Sequence, residues 1–141
     1  MRENPHVAVV DDDKIFHLLA KKVLVSTEFG GRISEFYGGQ EALSYLIENQ
    51  HDKNNIPDII FLDIQMPFVD GWQFLDQFAT LAFEKAITIY IVSSSISLLD
   101  HDKARRNKAV KSFIVKPFTR EKLLEVIEDY KTSLAPGPAE E

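Results

Sequence analysis

Pro57-Asp58-Ile59-Ile60-Phe61-Leu62-Asp63 is the stretch that decides the fold. From Asp58 to Leu62 it is rich in β-branched and aromatic types and too short for a helix, so it reads as a strand. No polar residue alternates within Ile59 to Leu62. Such a strand is buried on both faces, as at the centre of a parallel sheet covered by helices. The acid that follows, Asp63, then lies where the strand leaves the core.

Outward from this stretch the pattern repeats. His6–Val10 is a continuous apolar strand ending in Asp11-Asp12-Asp13, and Ile87–Val92 is another ending in Ser93-Ser94-Ser95. Arg32–Tyr37 alternates like a strand near an edge, and Ser112–Val115 is a short strand ending at Lys116-Pro117. Helical spacing fills the intervals. Lys14–Glu28 offers Ile15, Leu18, Leu19, Val23 and Leu24 to one face, and Gly30-Gly31 ends it. Gln40–Asn49 turns Ala42, Leu43, Leu46 and Ile47 inward, and His51–Pro57 is a polar loop. Gly71–Phe83 is helical, and Ser97–Asn107 is a weaker, polar helix. Thr119–Ser133 is a helix that Thr119 can cap, with Leu123, Leu124, Ile127 and Tyr130 as its apolar stripe. Five β-then-α units imply a three-layer α/β fold with helices on both faces of a parallel sheet. Right-handed crossovers leave few topologies, and the flavodoxin-like order 2-1-3-4-5 is expected.

The 141 residues suit one domain, 1–134, followed by a flexible tail, 135–141, that contains Pro136-Gly137-Pro138. With no cysteine, disulfides, thiolate metal sites and cysteine nucleophiles are excluded. No apolar run approaches the roughly 18 residues of a membrane span, so a cytoplasmic location is expected. A net charge of −6 disfavours binding nucleic acid through a broad basic face. The one basic cluster, Lys103, Arg105, Arg106, Lys108 and Lys111, reads either as a solvated helix end or as a docking patch.

Ligands of such sheets bind at the carboxyl ends of the strands, beside the point where strand order reverses. Those ends carry Asp11-Asp12-Asp13, Asp63, Ser93-Ser94-Ser95 and Lys116. Neighbouring strands lie about 4.8 Å apart, so Asp12 and Ser93 each sit one strand from Asp63. Lys116, about 10 Å away, can lean across on its flexible stem. Each piece alone has a plainer reading. Aspartates cap helices, serines make turns, and Lys-Pro enters a helix. The combination points further. Clustered carboxylates repel each other unless a hard divalent cation sits among them, and an oxygen-only site open to phosphate suits Mg²⁺. One carboxylate can then act as a nucleophile toward phosphorus.

These residues carry a resemblance. Over about residues 5–133 the chain is similar to the receiver domains of response regulators in two-component signalling. The matching pieces are Val9-Val10-Asp11-Asp12-Asp13, Pro57 to Asp63, Met66-Pro67 with Asp70-Gly71, Ile91-Val92-Ser93-Ser94 and Lys116-Pro117-Phe118. The resemblance implies that Asp63 is the phosphoacceptor. It implies Mg²⁺ (or Mn²⁺) on Asp11, Asp12, Asp63 and the backbone carbonyl of Gln65. Ser93 matches the switch hydroxyl, Lys116 the phosphoryl-contacting lysine, with a cis bond to Pro117, and Phe113 the aromatic switch, although Phe113 also reads as plain core. Gln65 and Ser95 stand at the two positions that tune aspartyl-phosphate hydrolysis. Two departures stand out: a longer loop at Asn49–Pro57, and no glycine in Asn107-Lys108-Ala109-Val110, which puts the fourth helix and the loop after it in question.

The implied partners are a sensor histidine kinase or histidine phosphotransfer protein, and a downstream protein on the surface of the fourth helix, fifth strand and fifth helix. A phosphorylation-dependent homodimer is a further option. No classical enzyme is implied. An aspartate-nucleophile phosphatase would carry an acid where Gln65 stands, and a flavin carrier would not tolerate Asp11-Asp12-Asp13 at its phosphate loop. G-x-x-x-x-G-K-[ST] is absent, which removes a GTPase. A stand-alone receiver, a phosphorelay intermediate and a receiver fragment of a larger regulator or hybrid kinase all remain open.

Overall fold

The computed structural model describes residues 4–134; the expected tail, 135–141, lies outside them. The elements alternate: β1 (His6–Val10), α1 (Lys14–Thr27), β2 (Arg32–Phe36), α2 (Gly39–Asn49), β3 (Ile59–Leu62), α3 (Gly71–Phe78), β4 (Thr88–Ser93), α4 (Leu98–Arg106), β5 (Val110–Val115) and α5 (Arg120–Leu134). All pairings are parallel and the order is β2-β1-β3-β4-β5. β3 is central and apolar on both sides, as its sequence demands.

Successive strand residues point to opposite faces, so each buried strand feeds two cores. Ala8, Val10, Ile60, Leu62, Ile89 and Ile91 face α2, α3 and α4 through Leu43, Leu46, Phe74 and Leu75. Val7, Val9, Ile59, Phe61, Tyr90 and Val92 face α1 and α5 through Phe16, Leu24, Leu123 and Val126. Each buried Val, Leu, Ile or Phe among them contributes about 1.5–3 kcal/mol by leaving water. Tyr90 is buried with its hydroxyl donating to Asp129 Oδ2 on α5 at 2.9 Å, so its polar end is not left unpaired.

Three helix faces differ from the sequence expectation. α1 buries Phe16, His17, Ala20 and Leu24, while Ile15, Leu18 and Leu19 are exposed. α2 buries Ala42, Leu43 and Leu46 and leaves Ile47 outside, and α5 buries Leu123, Val126 and Tyr130 while Leu124 points to solvent. The cause is shared: each helix is apolar over more than its buried stripe, so spacing alone does not fix its rotation.

Some boundaries move as well. α1 ends before Gly30-Gly31, at Glu28, which adopts the left-handed conformation with φ 56°. Its amide donates to Leu24 O and Val25 O, and the next residue, Phe29, turns inward against Tyr130. α3 stops at Phe78 rather than Phe83. β5 begins at Val110, ahead of the expected Ser112, because a register irregularity opposite Ile89 and Tyr90 absorbs Lys111. Asn107 replaces the missing glycine: its Oδ1 accepts from Ala109 N at 2.9 Å and builds the turn from the side chain. The long loop after α2 is anchored by buried Ile56 and by Tyr45, whose hydroxyl donates to Asn55 O at 2.7 Å.

Candidate functional site

The parallel sheet brings all five strand ends to one edge, and the expected residues meet there. Ladder bonds fix the first two. Asp11 N donates to Phe36 O at 3.1 Å, and Asp63 N to Val10 O at 3.0 Å. Asp11 is 1% exposed and Asp63 5%, whereas Asp12 is open to solvent. The third acid of the run, Asp13, caps α1 by accepting from Ile15 N and Phe16 N. Three aspartates in a row thus divide their work: Asp13 holds a helix, and Asp11 and Asp12 face the crevice.

Asp11, Asp12 and Asp63 each offer a carboxylate oxygen, all within 4.8 Å of one another. Lys116 reaches in across Phe16, its Nζ 4.4 Å from that ring. It donates to Asp11 Oδ2 at 2.9 Å and lies 3.6 Å from Asp63 Oδ2. Lys116 is joined to Pro117 by a cis peptide, as the resemblance implied. Burial pulls the lysine down, but its bond to Asp11 and the charges of Asp11 and Asp63 outweigh this and hold it above its ordinary value. Burial pushes the Asp11 carboxyl up, and Lys116 offsets only part of that. One ammonium among three carboxylates leaves surplus negative charge in a partly buried crevice. The donors are all oxygen, and an oxygen-only acidic cluster fits a hard divalent cation.

The strand-end hydroxyls form a second group. Ser93 is buried; its Oγ donates to the side-chain Oε1 of Gln65 at 3.4 Å, and Ser94 Oγ donates to the same oxygen at 3.1 Å. Gln65 N donates to Asp63 Oδ1 at 3.2 Å. Gln65 therefore ties the Asp63 turn to the end of β4 through its side chain, a link that spacing did not reveal. Ser95 Oγ donates to Asp100 Oδ2 at 2.6 Å, and Trp72 Nε1 on α3 donates to Asp100 Oδ1 at 3.3 Å. His101 Nε2 donates to Ser95 O at 3.0 Å, and its ring stacks on Phe113 with centroids 3.8 Å apart. Phe113, half-buried, is thus connected to the end of β4 through α4.

Gly71 makes the Asp63 loop possible. A Cβ there would lie 2.5 Å from Ile64 Cα and 2.8 Å from Asp63 O, so only glycine lets α3 start this close. Asp70 caps that start in a reciprocal capping box with Gln73. The basic cluster after Asp100 is largely spent on neighbours: Arg105 and Arg106 both pair with Asp102, and Lys103 lies over the Trp72 ring.

A model of the response regulator receiver domain family matches residues 7–128. The chain is 29% identical over 143 residues to the "Probable methanogenesis regulatory protein FilR2" of Methanothrix harundinacea, with 97% of this chain and 92% of that protein covered. A two component response regulator from Cytophaga hutchinsonii superposes with a TM-score of 0.82 at 27% identity, over 93% of this chain and 99% of that one. A chain of the CheX-CheY-BeF3-Mg+2 complex from Borrelia burgdorferi gives 0.74 at 27% identity, over 89% and 88%. With this family match laid over the strand order and the acidic edge, the chain belongs to the response regulator receiver domains of two-component signalling.

Proposed function

We propose that this receiver takes a phosphoryl group onto Asp63 from a sensor histidine kinase or a histidine phosphotransfer protein. Asp11, Asp12, Asp63 and the Gln65 backbone carbonyl would hold Mg²⁺ or Mn²⁺. The supporting observation is the set of three carboxylates within 4.8 Å, flanked by a single lysine. When bound, the divalent ion offsets the charge between the carboxylate and the incoming phosphoryl oxygens. The related Borrelia burgdorferi complex contains BeF3 and Mg+2.

An Asp63 carboxylate oxygen attacks phosphorus and forms the acyl-phosphate bond. The bond from phosphorus to the donor histidine nitrogen breaks, and its electron pair returns to the imidazole. Lys116, beside Asp11 and Asp63, would pair with a phosphoryl oxygen. Ser93 exchanges its bond to Gln65 for one to the phosphoryl group. Phe113 leaves the His101 ring and turns toward the space vacated at the end of β4. The α4-β5-α5 surface then changes shape and partner affinity, a two-state shift biased by one added dianion. The output is a signal to a protein partner in the cytoplasm, and the acyl phosphate is lost by slow self-hydrolysis.

Incubation with acetyl phosphate and Mg²⁺ should add one phosphoryl group by intact-mass spectrometry, and Asp63→Asn should abolish it. Labelling that persists in Asp63→Asn would move the acceptor elsewhere.

A further inference from the structure

We propose that His17 is a positioning residue that holds the peptide between Asp11 and Asp12 in the orientation the metal requires. The inference rests on reading the acidic cluster as a divalent-cation site.

His17 lies on the first turn of α1 and is 2% exposed. A histidine buried there is costly unless its nitrogens are used, and an aliphatic residue would pack with less penalty. Its Nε2 is 2.7 Å from the backbone carbonyl of Asp11. A carbonyl oxygen only accepts, so Nε2 carries the proton and donates. Nδ1 faces Glu35 Oε2 on β2 at 3.4 Å, and Glu35 Oε1 is 3.4 Å from Lys21 Nζ. The Tyr37 ring lies against the imidazole with centroids 4.2 Å apart. Nδ1 makes no hydrogen bond, so the ring is held by its packing on Tyr37 and by the one bond from Nε2 to the Asp11 carbonyl oxygen.

That atom matters because of where it sits. Asp11 N is already held by Phe36 O, so the main chain of Asp11 is gripped from β2 at its amide and from α1 at its carbonyl. The carbonyl of Asp11 and the amide of Asp12 share one rigid plane. Holding the oxygen restrains that plane, and with it the backbone from which both side chains leave. Asp11 and Asp12 repel each other and Asp63, so a free loop would splay them. A cation then has to draw them together, and that work weakens binding. Groups that orient metal ligands from behind typically alter affinity by roughly 10- to 100-fold.

The experiment measures Mn²⁺ affinity on the intact protein, by electron paramagnetic resonance of free Mn²⁺, beside thermal unfolding in chelator. Wild type, His17→Leu and His17→Gln are compared. Leucine fills the space without a donor, while the glutamine amide can donate to the same carbonyl. His17→Leu should bind Mn²⁺ roughly 10- to 100-fold more weakly, and His17→Gln should recover most of the loss. Wild-type affinity in His17→Leu, or a loss that glutamine does not restore, would make His17 a packing residue and overturn the inference while leaving the cation site intact. Wild-type protein that takes up no Mn²⁺ would instead overturn the reading of the acidic cluster, and this inference with it. Should His17→Leu not fold, the imidazole ¹⁵N spectrum of wild type decides. A protonated Nε2 whose resonance moves as Mg²⁺ is added supports the clamp, and a bare Nε2 overturns it.

Discussion

β1 and β3 run side by side, and an ionic cluster sits at each end of the pair. At the carboxyl end Asp11, Asp12 and Asp63 share Lys116. At the amino end Asp58 faces Lys85 at 3.0 Å and also accepts from His6 N at 2.8 Å. The described residues give the two ends different characters. At the amino end the Asp58 carboxylate meets an ammonium and a backbone amide. The carboxyl end has more acid than base. This excess of acid among the described residues supports the proposal that a cation and a phosphoryl group bind at the carboxyl end.

The sharpest way to break this contrast is Asp58→Ala. It leaves the Lys85 ammonium buried without its partner and should cost about 3–5 kcal/mol in urea unfolding. The folded fraction should still accept a phosphoryl group. A cost as small as that of a surface change would show that the amino-end pair holds nothing together.

Acid titration tests the two ends against each other with opposite signs. Burial, assisted by Arg32, lowers the His6 pKa from 6.5 to about 4. The unfolded chain thus takes a proton that the folded chain refuses. This contribution is full above pH 6.5 and is lost as pH falls toward 4, by up to about 3 kcal/mol. Asp11, pushed up by burial, acts the other way: its contribution is present at low pH and is lost as pH rises through its raised value. His6→Gln should flatten the acid arm of the stability profile. An unchanged slope would place its origin outside the amino end.

A smaller effect separates the ends by cation. Mg²⁺ at 100 times its dissociation constant should stabilise the wild type by about 2.7 kcal/mol. Asp12→Ala, at an exposed position, should lose that gain with little change in chelator. Equal Mg²⁺ stabilisation in both proteins would detach the cation from this cluster.

Much of this was legible in the residues themselves. Short apolar runs such as Ile59–Leu62 can only be buried strands, and a parallel sheet must gather their ends on one edge. Asp11, Asp12, Asp63 and Lys116 therefore lie together, while Ser93 touches Gln65 rather than the carboxylates. Rotation about a helix axis was less legible. Ile15, Phe16, Leu18, Leu19, Ala20, Val23 and Leu24 clothe α1 on most sides, and the sheet selects Phe16, Ala20 and Leu24. Burial of His17 follows from the same rotation, and a polar histidine does not mark an apolar stripe. Asp58 and Lys85 lie far apart in sequence, and no motif joins them. The Gln65 side chain was equally silent, since nothing in its surroundings shows which hydroxyls it will meet.

The hydrogen bond from Trp72 to Asp100 gives the protein a built-in optical gauge. Trp72 is the only tryptophan in the chain, so all indole emission reports on the seam between α3 and α4. Asp100 also binds Ser95, two residues beyond the end of β4, so a displacement of that loop pulls on the same contact. Any movement that draws α4 from its neighbour wets the ring and removes Lys103 from its face. If the proposed phosphorylation displaces α4, indole fluorescence should change with it, in real time and without a dye.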